Sequence, residues 1–168
     1  MKKWLWLCGV ITLMLTVILG CSKEEPKEEK ATNEEATDVK SELLDFYLSI
    51  ANKINSVDSD LNNYEGAEDL SLLTEEDKQK ASASANKVVE ALKEVKVPAS
   101  LSKYKKEFEE ALSSISNSYR EKGTQLSGSG QANLDKANEQ FSEGSEKING
   151  IFQSEDLNEP NLAAEVNA

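Results

Sequence analysis

The sequence predicts an all-α fold, an up-down-up-down four-helix bundle preceded by a signal peptide and an acidic linker. Three observations predict it. Apolar residues recur at spacings of three and four in four separate segments, which is the period of an amphipathic helix. At least two of the connections between segments are short, which suits antiparallel neighbours. No segment shows the alternation of a β-strand, so we expect the bundle to occupy residues 39–152.

The first predicted helix is a single long one. Its apolar stripe begins at Val39 and runs to Tyr64, and Gly66 ends it. The stretch Leu70–Leu73 that follows is apolar enough to pack over one end of the bundle. The stripe consists of Val39, Leu43, Phe46, Tyr47, Ile50, Ile54, Val57, Leu61 and Tyr64.

The second predicted helix begins after Thr74, a good N-cap residue that is followed by three acids in the first turn. It ends near Lys96, because Pro98 disfavours helical geometry at the residue before it. The same proline suits the first turn of the third helix, which therefore starts almost at once. The stripe of the second helix is Ala81, Ala85, Val88, Leu92 and Val95.

The third predicted helix ends at Lys122 and Gly123, where a cation and a glycine suit a C-cap. Residues 127–130, Ser-Gly-Ser-Gly, are a turn before the fourth helix. The tail 153–168 has four acids, no base and one proline, and we expect it to be disordered. The two stripes are Leu101, Tyr104, Phe108, Ala111, Leu112, Ile115 and Tyr119, and then Leu134, Ala137, Phe141, Ser145, Ile148, Ile151 and Phe152. Because each stripe is narrow, a coiled coil assembled from several copies is the alternative arrangement.

The N-terminal segment has the pattern of an export signal. Lys2 and Lys3 precede an uncharged apolar run over residues 4–19. The run ends in Ile-Leu-Gly and then Cys21, which resembles the lipobox of bacterial lipoproteins. That resemblance implies removal of residues 1–20 and acylation of Cys21 with diacylglycerol, although Leu19 departs from the usual small residue at its position. An uncleaved N-terminal anchor or plain secretion are the alternatives.

Residues 21–38 read as the lipidated cysteine followed by a disordered acidic linker. Seven acids, three bases and one proline lie between residues 22 and 38. Loss of Lys2 and Lys3 with the signal would change the formal charge from −12 to −14. Such an acidic domain is repelled by phosphate, so we expect no nucleic-acid partner and favour cations or basic protein surfaces. The mature chain would hold no free thiol and form no disulfide.

The chain has no histidine, which removes histidine-based triads, histidine-ligated zinc sites and the usual general base. Carboxylate-pair catalysis stays formally open, but the acids lie almost wholly off the apolar stripes, where they solvate the outer faces of helices. We therefore expect a protein that is not an enzyme, with no catalytic residues and no cofactor.

One acidic cluster partly matches a calcium-binding loop. Asp58, Asp60, Asn62 and Asp69 occupy oxygen-ligand positions of an EF-hand pattern. The loop glycine is replaced by Asn63, and the apolar stripe continues through the segment. We interpret it as an ordinary helix end, with a weak cation site as the alternative.

The four tyrosines lie on or beside the inward stripes. Tyrosines in such positions are usually core residues with the hydroxyl at the rim. Their hydroxyls are also able to line a small polar cavity between helices, which keeps a ligand pocket open as an alternative. The tyrosines are Tyr47, Tyr64, Tyr104 and Tyr119.

The lipobox, the acidic linker and the junction Val97-Pro98-Ala99-Ser100-Leu101 followed by Tyr104 and Phe108 resemble small lipoproteins of Bacillus-type Gram-positive bacteria. These carry helical domains of unknown function, so the resemblance implies location and fold alone. It places the chain on the extracytoplasmic face of the cell membrane, held in the bilayer by acylated Cys21. We expect a non-catalytic protein-interaction module that binds another envelope protein, and a homo-oligomer stays possible in principle. The alternative is a lipoprotein that binds a small ligand or cation in the bundle interior.

Overall fold

The computed structural model describes residues 28–166, with side chains from residue 38 onward, and this part of the chain is all-helical. The chain divides after Glu35, and every side-chain contact given below lies in the second unit. Two 3₁₀ turns, Leu70–Leu72 and Ala99–Tyr104, precede α3 and α4. The helices are α1 (Glu28–Asn55), α2 (Ser59–Glu65), α3 (Glu75–Lys93), α4 (Lys105–Ser127), α5 (Asp135–Ser154) and α6 (Leu162–Val166).

The apolar stripes meet in one core. Helix α2 packs on α3, α3 on α4, and α4 on α5. Helix α1 joins them through two edge-to-face ring pairs, Phe46 with Phe108 at 4.8 Å and Tyr47 with Phe152 at 5.7 Å between centroids. Such pairs add about 0.5–1.5 kcal/mol to the area that the rings bury.

Helices α3 and α4 run antiparallel. The Ser82 hydroxyl donates to the carbonyl of Gly123 at 2.7 Å, while Lys78, one turn earlier in α3, donates to the carbonyls of Gly128 and Gly130 at 2.6 Å each. Lys78 therefore satisfies carbonyls beyond the C-terminal end of α4, where a cation is favoured. The predicted turn is confirmed at residues 128–130, while Ser127 is still the last residue of α4, and Gly130 has the left-handed backbone angle φ 94° that glycine tolerates.

The first predicted helix is broken into two. Helix α1 ends at Asn55 and α2 begins at Ser59, although Val57 and Leu61 continue the apolar stripe across the break. Ser84 of α3 stabilises the break, since its hydroxyl donates to the carbonyl of Val57 at 2.7 Å. A pattern of apolar residues does not register this kind of tertiary hydrogen bond.

The predicted end of the third helix is wrong. Helix α4 continues through Lys122 and Gly123 to Ser127, and both residues are buried. A Cβ atom at Gly123 would lie 3.0 Å from the Asn86 amide, so the glycine permits close packing on α3. Packing against Asn86 therefore accounts for the glycine at this position. The sequence pattern alone, a lysine followed by a glycine, is also typical of a C-cap.

The two connections before α3 and α4 agree in part with their predictions. Thr74 is confirmed as the N-cap of α3 and forms a reciprocal capping box with Asp77. Pro98 initiates the 3₁₀ turn, and α4 follows at Lys105. The prediction that the leucines before Thr74 cover the core is wrong for Leu72, which is 78% exposed.

Both predicted disordered segments differ from the structure. Helix α1 already begins at Glu28, inside the predicted linker 21–38. The tail 153–168 was expected to be disordered, but Leu162 and Val166 are both buried. Asp156 adopts φ 52° after α5, and the Leu157 amide donates to the Phe152 carbonyl at 3.0 Å, which turns the chain back. The signal 1–20 and Cys21 lie outside the described residues.

Candidate functional site

A polar cavity of about 590 Å³ lies between α2, α4, α5 and the C-terminal segment. We call it the acidic cavity. Its volume falls within the range of small-molecule sites in proteins. It is lined by Glu65, Tyr119, Lys122, Asn138, Phe141, Ser142, Ser145, Glu146, Asn149, Glu159, Pro160, Asn161, Leu162, Ala163 and Val166.

Helical periodicity presents these side chains together. In α4, Tyr119 and Lys122 are three residues apart and so share a face. Helix α5 contributes residues at the same spacing, from Asn138 through Ser145 to Asn149. Glu65 is the last residue of α2, and it lines the cavity from that helix end.

The C-terminal segment forms the remaining wall. Two amide side chains hold α6 by its backbone: Asn55 donates to the carbonyl of Glu165 and Asn62 to that of Val166, both at 2.8 Å. Leu162 and Val166, four residues apart on one face of α6, are both buried. These two anchors and two hydrogen bonds explain why the segment is ordered despite its acidic composition.

An ion pair lies at the floor of the acidic cavity. Nζ of Lys122 is 2.8 Å from Oε2 of Glu65, and the two side chains are 9% and 24% exposed. The Lys122 ammonium also lies 5.5 Å from the centre of the Tyr119 ring, a cation–π distance. The other carboxylate oxygen of Glu65, Oε1, is buried and has no hydrogen-bond partner. Such an atom costs roughly 1–3 kcal/mol.

Tyr119 places its ring against Phe141, edge to face at 6.2 Å, and is 3% exposed. Burial raises the pKa of its hydroxyl well above the usual range, and the nearby charges of Asp58 and Glu65 add to the effect. The hydroxyl therefore stays protonated at all physiological pH values. It provides the cavity with a neutral polar group on an aromatic wall.

Asp58, at the N-cap of α2, is buried beside this ion pair. Burial raises the pKa of its carboxyl, and the Asn62 amide and the Lys122 charge offset part of that rise. Its Oδ2 has no hydrogen-bond partner. Three buried polar atoms without partners thus lie near α6: Asp58 Oδ2, Glu65 Oε1 and the hydroxyl of Tyr47, on which the charge of Glu165 acts.

The charges that line the acidic cavity are three carboxylates and one ammonium. Glu65, Glu146 and Glu159 stand against Lys122, which leaves a net charge of −2. A cavity with this charge and with aromatic walls favours a cationic group over an anionic one.

The positions of the predicted cation site diverge. Residues 59–65 are helical, so Asp60 is exposed whereas Asp58 is buried. The side-chain amide of Asn62 donates a hydrogen bond to the Val166 carbonyl in α6. Asp69 accepts a hydrogen bond from the backbone N–H of Ser71 at 2.8 Å. Among the described residues, no three histidine, cysteine or acidic side chains are grouped closely enough to hold a metal ion.

The four tyrosines have different surroundings. Tyr119 lines the acidic cavity and Tyr47 is in the core. The Tyr104 hydroxyl donates to Glu155, and Tyr64 is half-buried. Only one of the predicted candidates therefore contributes to the cavity in the described part of the chain.

A second, more open groove of about 760 Å³ lies between α1 and the connection from α3 to α4. Its polar rim includes the exposed ion pair of Lys53 with Glu94, at 3.0 Å. No buried polar atom without a partner belongs to a residue lining this groove, among those that the structure describes.

Two leucines on the outer face of α1, Leu44 and Leu48, are exposed, as is Leu72.

No protein-family model, curated protein or solved structure matches the chain. Among the described helices, none combines the length and apolar composition that a bilayer crossing requires.

Sequence reasoning missed the main residues of this site. The sequence pattern predicts Lys122 as a C-cap cation and residues 159–166 as part of a disordered tail. In the structure, both line the acidic cavity. One signal was available for the wall: Leu162 and Val166 have helical spacing within an otherwise polar tail. The partner of Lys122 had no comparable signal, because Glu65 is 57 residues away in the chain.

Proposed function

We propose that the chain is an extracytoplasmic lipoprotein, anchored in the cell membrane through acylated Cys21, that acts as a non-catalytic protein-interaction module. The observation that carries the proposal is the acidic cavity, whose net charge of −2 and half-open polar wall complement a basic protein surface. The exposed leucines of α1 add apolar area on the same domain. The sequence has no histidine to serve as a general base.

We also propose that the helices form an up-down-up-down four-helix bundle, in which α1 and α2 together make one kinked helix. Two pairs of contacts support this topology. From Lys78 to Ser82 in α3, the partner position moves back from Gly128 to Gly123, and from Lys136 to Lys147 in α5 it moves back from Glu121 to Glu110, so both neighbours run antiparallel to α4. A compact bundle of this kind gives the cavity rigid walls.

Crosslinking in intact cells tests the interaction. A photoreactive residue is placed at Asn138 or Ser142, on the rim of the acidic cavity, and for comparison at Lys87 or Glu90 on the exposed face of α3. We expect one partner protein to be recovered from both rim positions and from neither comparison position. Self-adducts alone would instead support a homo-oligomer, and equal labelling at all four positions would contradict a localised interface.

The anchoring has a separate test. Cys21→Ala should abolish lipid labelling and leave unprocessed precursor. Mature wild-type protein should contain no tryptophan, because Trp4 and Trp6 lie before the proposed cleavage position. Tryptophan fluorescence from the mature form would refute cleavage at that position.

A second candidate function is binding of a small ligand or cation in the same cavity. The specific observation in its favour is Oε1 of Glu65, a carboxylate oxygen that has no hydrogen-bond partner beside the cavity. Thermal shifts of the full chain with calcium and with small organic amines test it, since a ligand that binds only the folded state raises the melting temperature. No shift with either class would remove this candidate.

A further inference from the structure

We propose that the groove in which Leu162 and Val166 of α6 are buried, bordered by Asn55 and Asn62, is a docking site for a basic amphipathic helix of a partner protein. Helix α6 occupies this groove and so competes with the partner helix. This inference depends on the proposed interaction function and specifies the surface and the kind of partner. It follows from a mismatch between α6 and the groups that it covers.

The apolar part of the groove is already shaped for a helix. Leu162 and Val166 insert as a pair four residues apart, and both are buried. Helices that dock in grooves use anchors at this spacing. Asn55 and Asn62 donate to backbone carbonyls of α6 and make no contact that depends on its side chains. A helix that carries two aliphatic anchors at this spacing in its last turn is able to accept the same two hydrogen bonds, because the carbonyls of the last turn have no partner within the helix.

The polar part of the groove is poorly matched by α6. The buried atoms Asp58 Oδ2, Glu65 Oε1 and Tyr47 Oη have no hydrogen-bond partner. Two of them belong to carboxylates, which need donors. The C-terminal segment instead places Glu159 in the same cavity lining as Glu65, and Glu165 where its charge acts on the Tyr47 hydroxyl. Acidic side chains supply no donor and add repulsion, so α6 leaves the electrostatic requirement of the groove unmet.

A lysine in place of these acids would correct the mismatch. Without Glu159, the cavity lining still carries Glu65 and Glu146 against the single cation Lys122, which is engaged by Glu65 Oε2, and the buried carboxyl of Asp58 lies beside that pair. Lysine is a better fit than arginine because only one oxygen of Glu65 is free, and the planar guanidinium gains most from two. The partner segment is therefore a short helix with aliphatic anchors at i and i+4 and lysine beside them.

Fluorescence anisotropy with labelled peptides tests the docking on the full-length chain in detergent micelles. The first peptide copies residues 155–166, the second carries Glu159→Lys and Glu165→Lys, and the third adds Leu162→Ser and Val166→Ser to the second. Each is titrated with wild type and with a tail-released variant, Leu162→Ser with Val166→Ser in the chain itself.

We expect the lysine peptide to bind the tail-released variant at least tenfold more tightly than wild type, because the competitor is removed. It should bind at least tenfold more tightly than the native-sequence peptide, and the third peptide should not bind. In the tail-released chain, Glu65→Gln should weaken binding of the lysine peptide about tenfold. Glu90→Gln, which removes an exposed carboxylate on α3, should leave it unchanged.

Two outcomes would overturn the proposal. Equal binding of the native-sequence and lysine peptides would indicate exchange of tails between copies, and no binding to a tail-released chain that circular dichroism shows to be folded would exclude docking. If the double variant unfolds, Leu162→Ala alone decides: it shortens one anchor of α6, leaves Asn55 and Asn62 able to bind the peptide, and should raise lysine-peptide affinity about threefold. Rim crosslinks that persist without peptide binding would leave the interaction function intact and reject this groove.

Discussion

The ammonium of Lys122 in α4 lies 2.8 Å from the carboxylate of Glu65 at the end of α2, and both side chains are largely shielded from water. These residues join two helices that are far apart in sequence. Both side chains also line the acidic cavity, so removal of the pair should affect both folding and binding.

Lys122→Met should lower the free energy of unfolding by about 2 kcal/mol, because it leaves the carboxylates of Glu65 and Asp58 without their cation. Urea denaturation at neutral pH measures the change. Lys93→Met is the matched control, since its 2.6 Å pair with Glu90 is exposed and should contribute less than about 0.5 kcal/mol. Equal effects of the two substitutions would contradict a structural role for the buried pair.

Tyr47→Phe should raise the free energy of unfolding by about 1 kcal/mol at pH 7, because it removes a buried hydroxyl that has no partner. Burial first, and the charge of Glu165 second, raise the pKa of Tyr47 to about 12 from its ordinary value of 10.0. The folded state favours the neutral hydroxyl. The free energy of unfolding that depends on this protonation is therefore fully present below pH 10 and is lost as pH rises towards 12.

The variant should therefore lose less stability than wild type between pH 9 and pH 12, a range set by the ordinary and raised pKa values of Tyr47. Denaturation across that range measures the difference, with the half-buried Tyr64→Phe as the control. Parallel curves for wild type and Tyr47→Phe would show that the Tyr47 pKa is not raised.

Gly144→Ala should destabilise the protein by about 1–3 kcal/mol through overpacking. Its Cβ would lie 2.5 Å from Cγ1 of Ile115 and 2.9 Å from the carbonyl of Ala111. Gly150 is in the same helix with nothing within 4 Å of such an atom, so Gly150→Ala should stabilise by about 0.5–1 kcal/mol through helix propensity. Melting temperatures that move in opposite directions would confirm the close approach of α4 and α5, whereas a gain in both would exclude it.

Leu162→Ala should lower the free energy of unfolding by about 2 kcal/mol, because Leu162 is a buried anchor of the C-terminal segment. Asn158→Ala, on the exposed part of that segment, is the control. Hydrogen exchange at the Glu165 amide, which donates to the Asn161 carbonyl at 3.1 Å, reports on the segment directly. Exchange as fast in wild type as in an unfolded peptide would show that the segment is undocked.

The stripes predicted most of the helical content, because the spacing of apolar residues is a local property that burial imposes on any amphipathic helix. Thr74 was recognisable as a cap since the capping box involves residues only three apart. The break at Asn55 and the continuation of α4 past Gly123 were not, because Ser84 and Asn86 of α3 determine them. The tail was misjudged because its acidic composition outweighed two anchors at helical spacing.

By itself the sequence determined the all-helical class, the core-facing stripes and the net acidity, since each depends on composition or on periodicity within a few turns. Only the tertiary structure decided where the acidic cavity lies, because Glu65, Lys122 and Val166 come from three elements that have no local relation. The unmatched oxygens under α6 follow from the same packing. A buried carboxylate has a partner only if a distant part of the chain supplies one, and that depends on the fold.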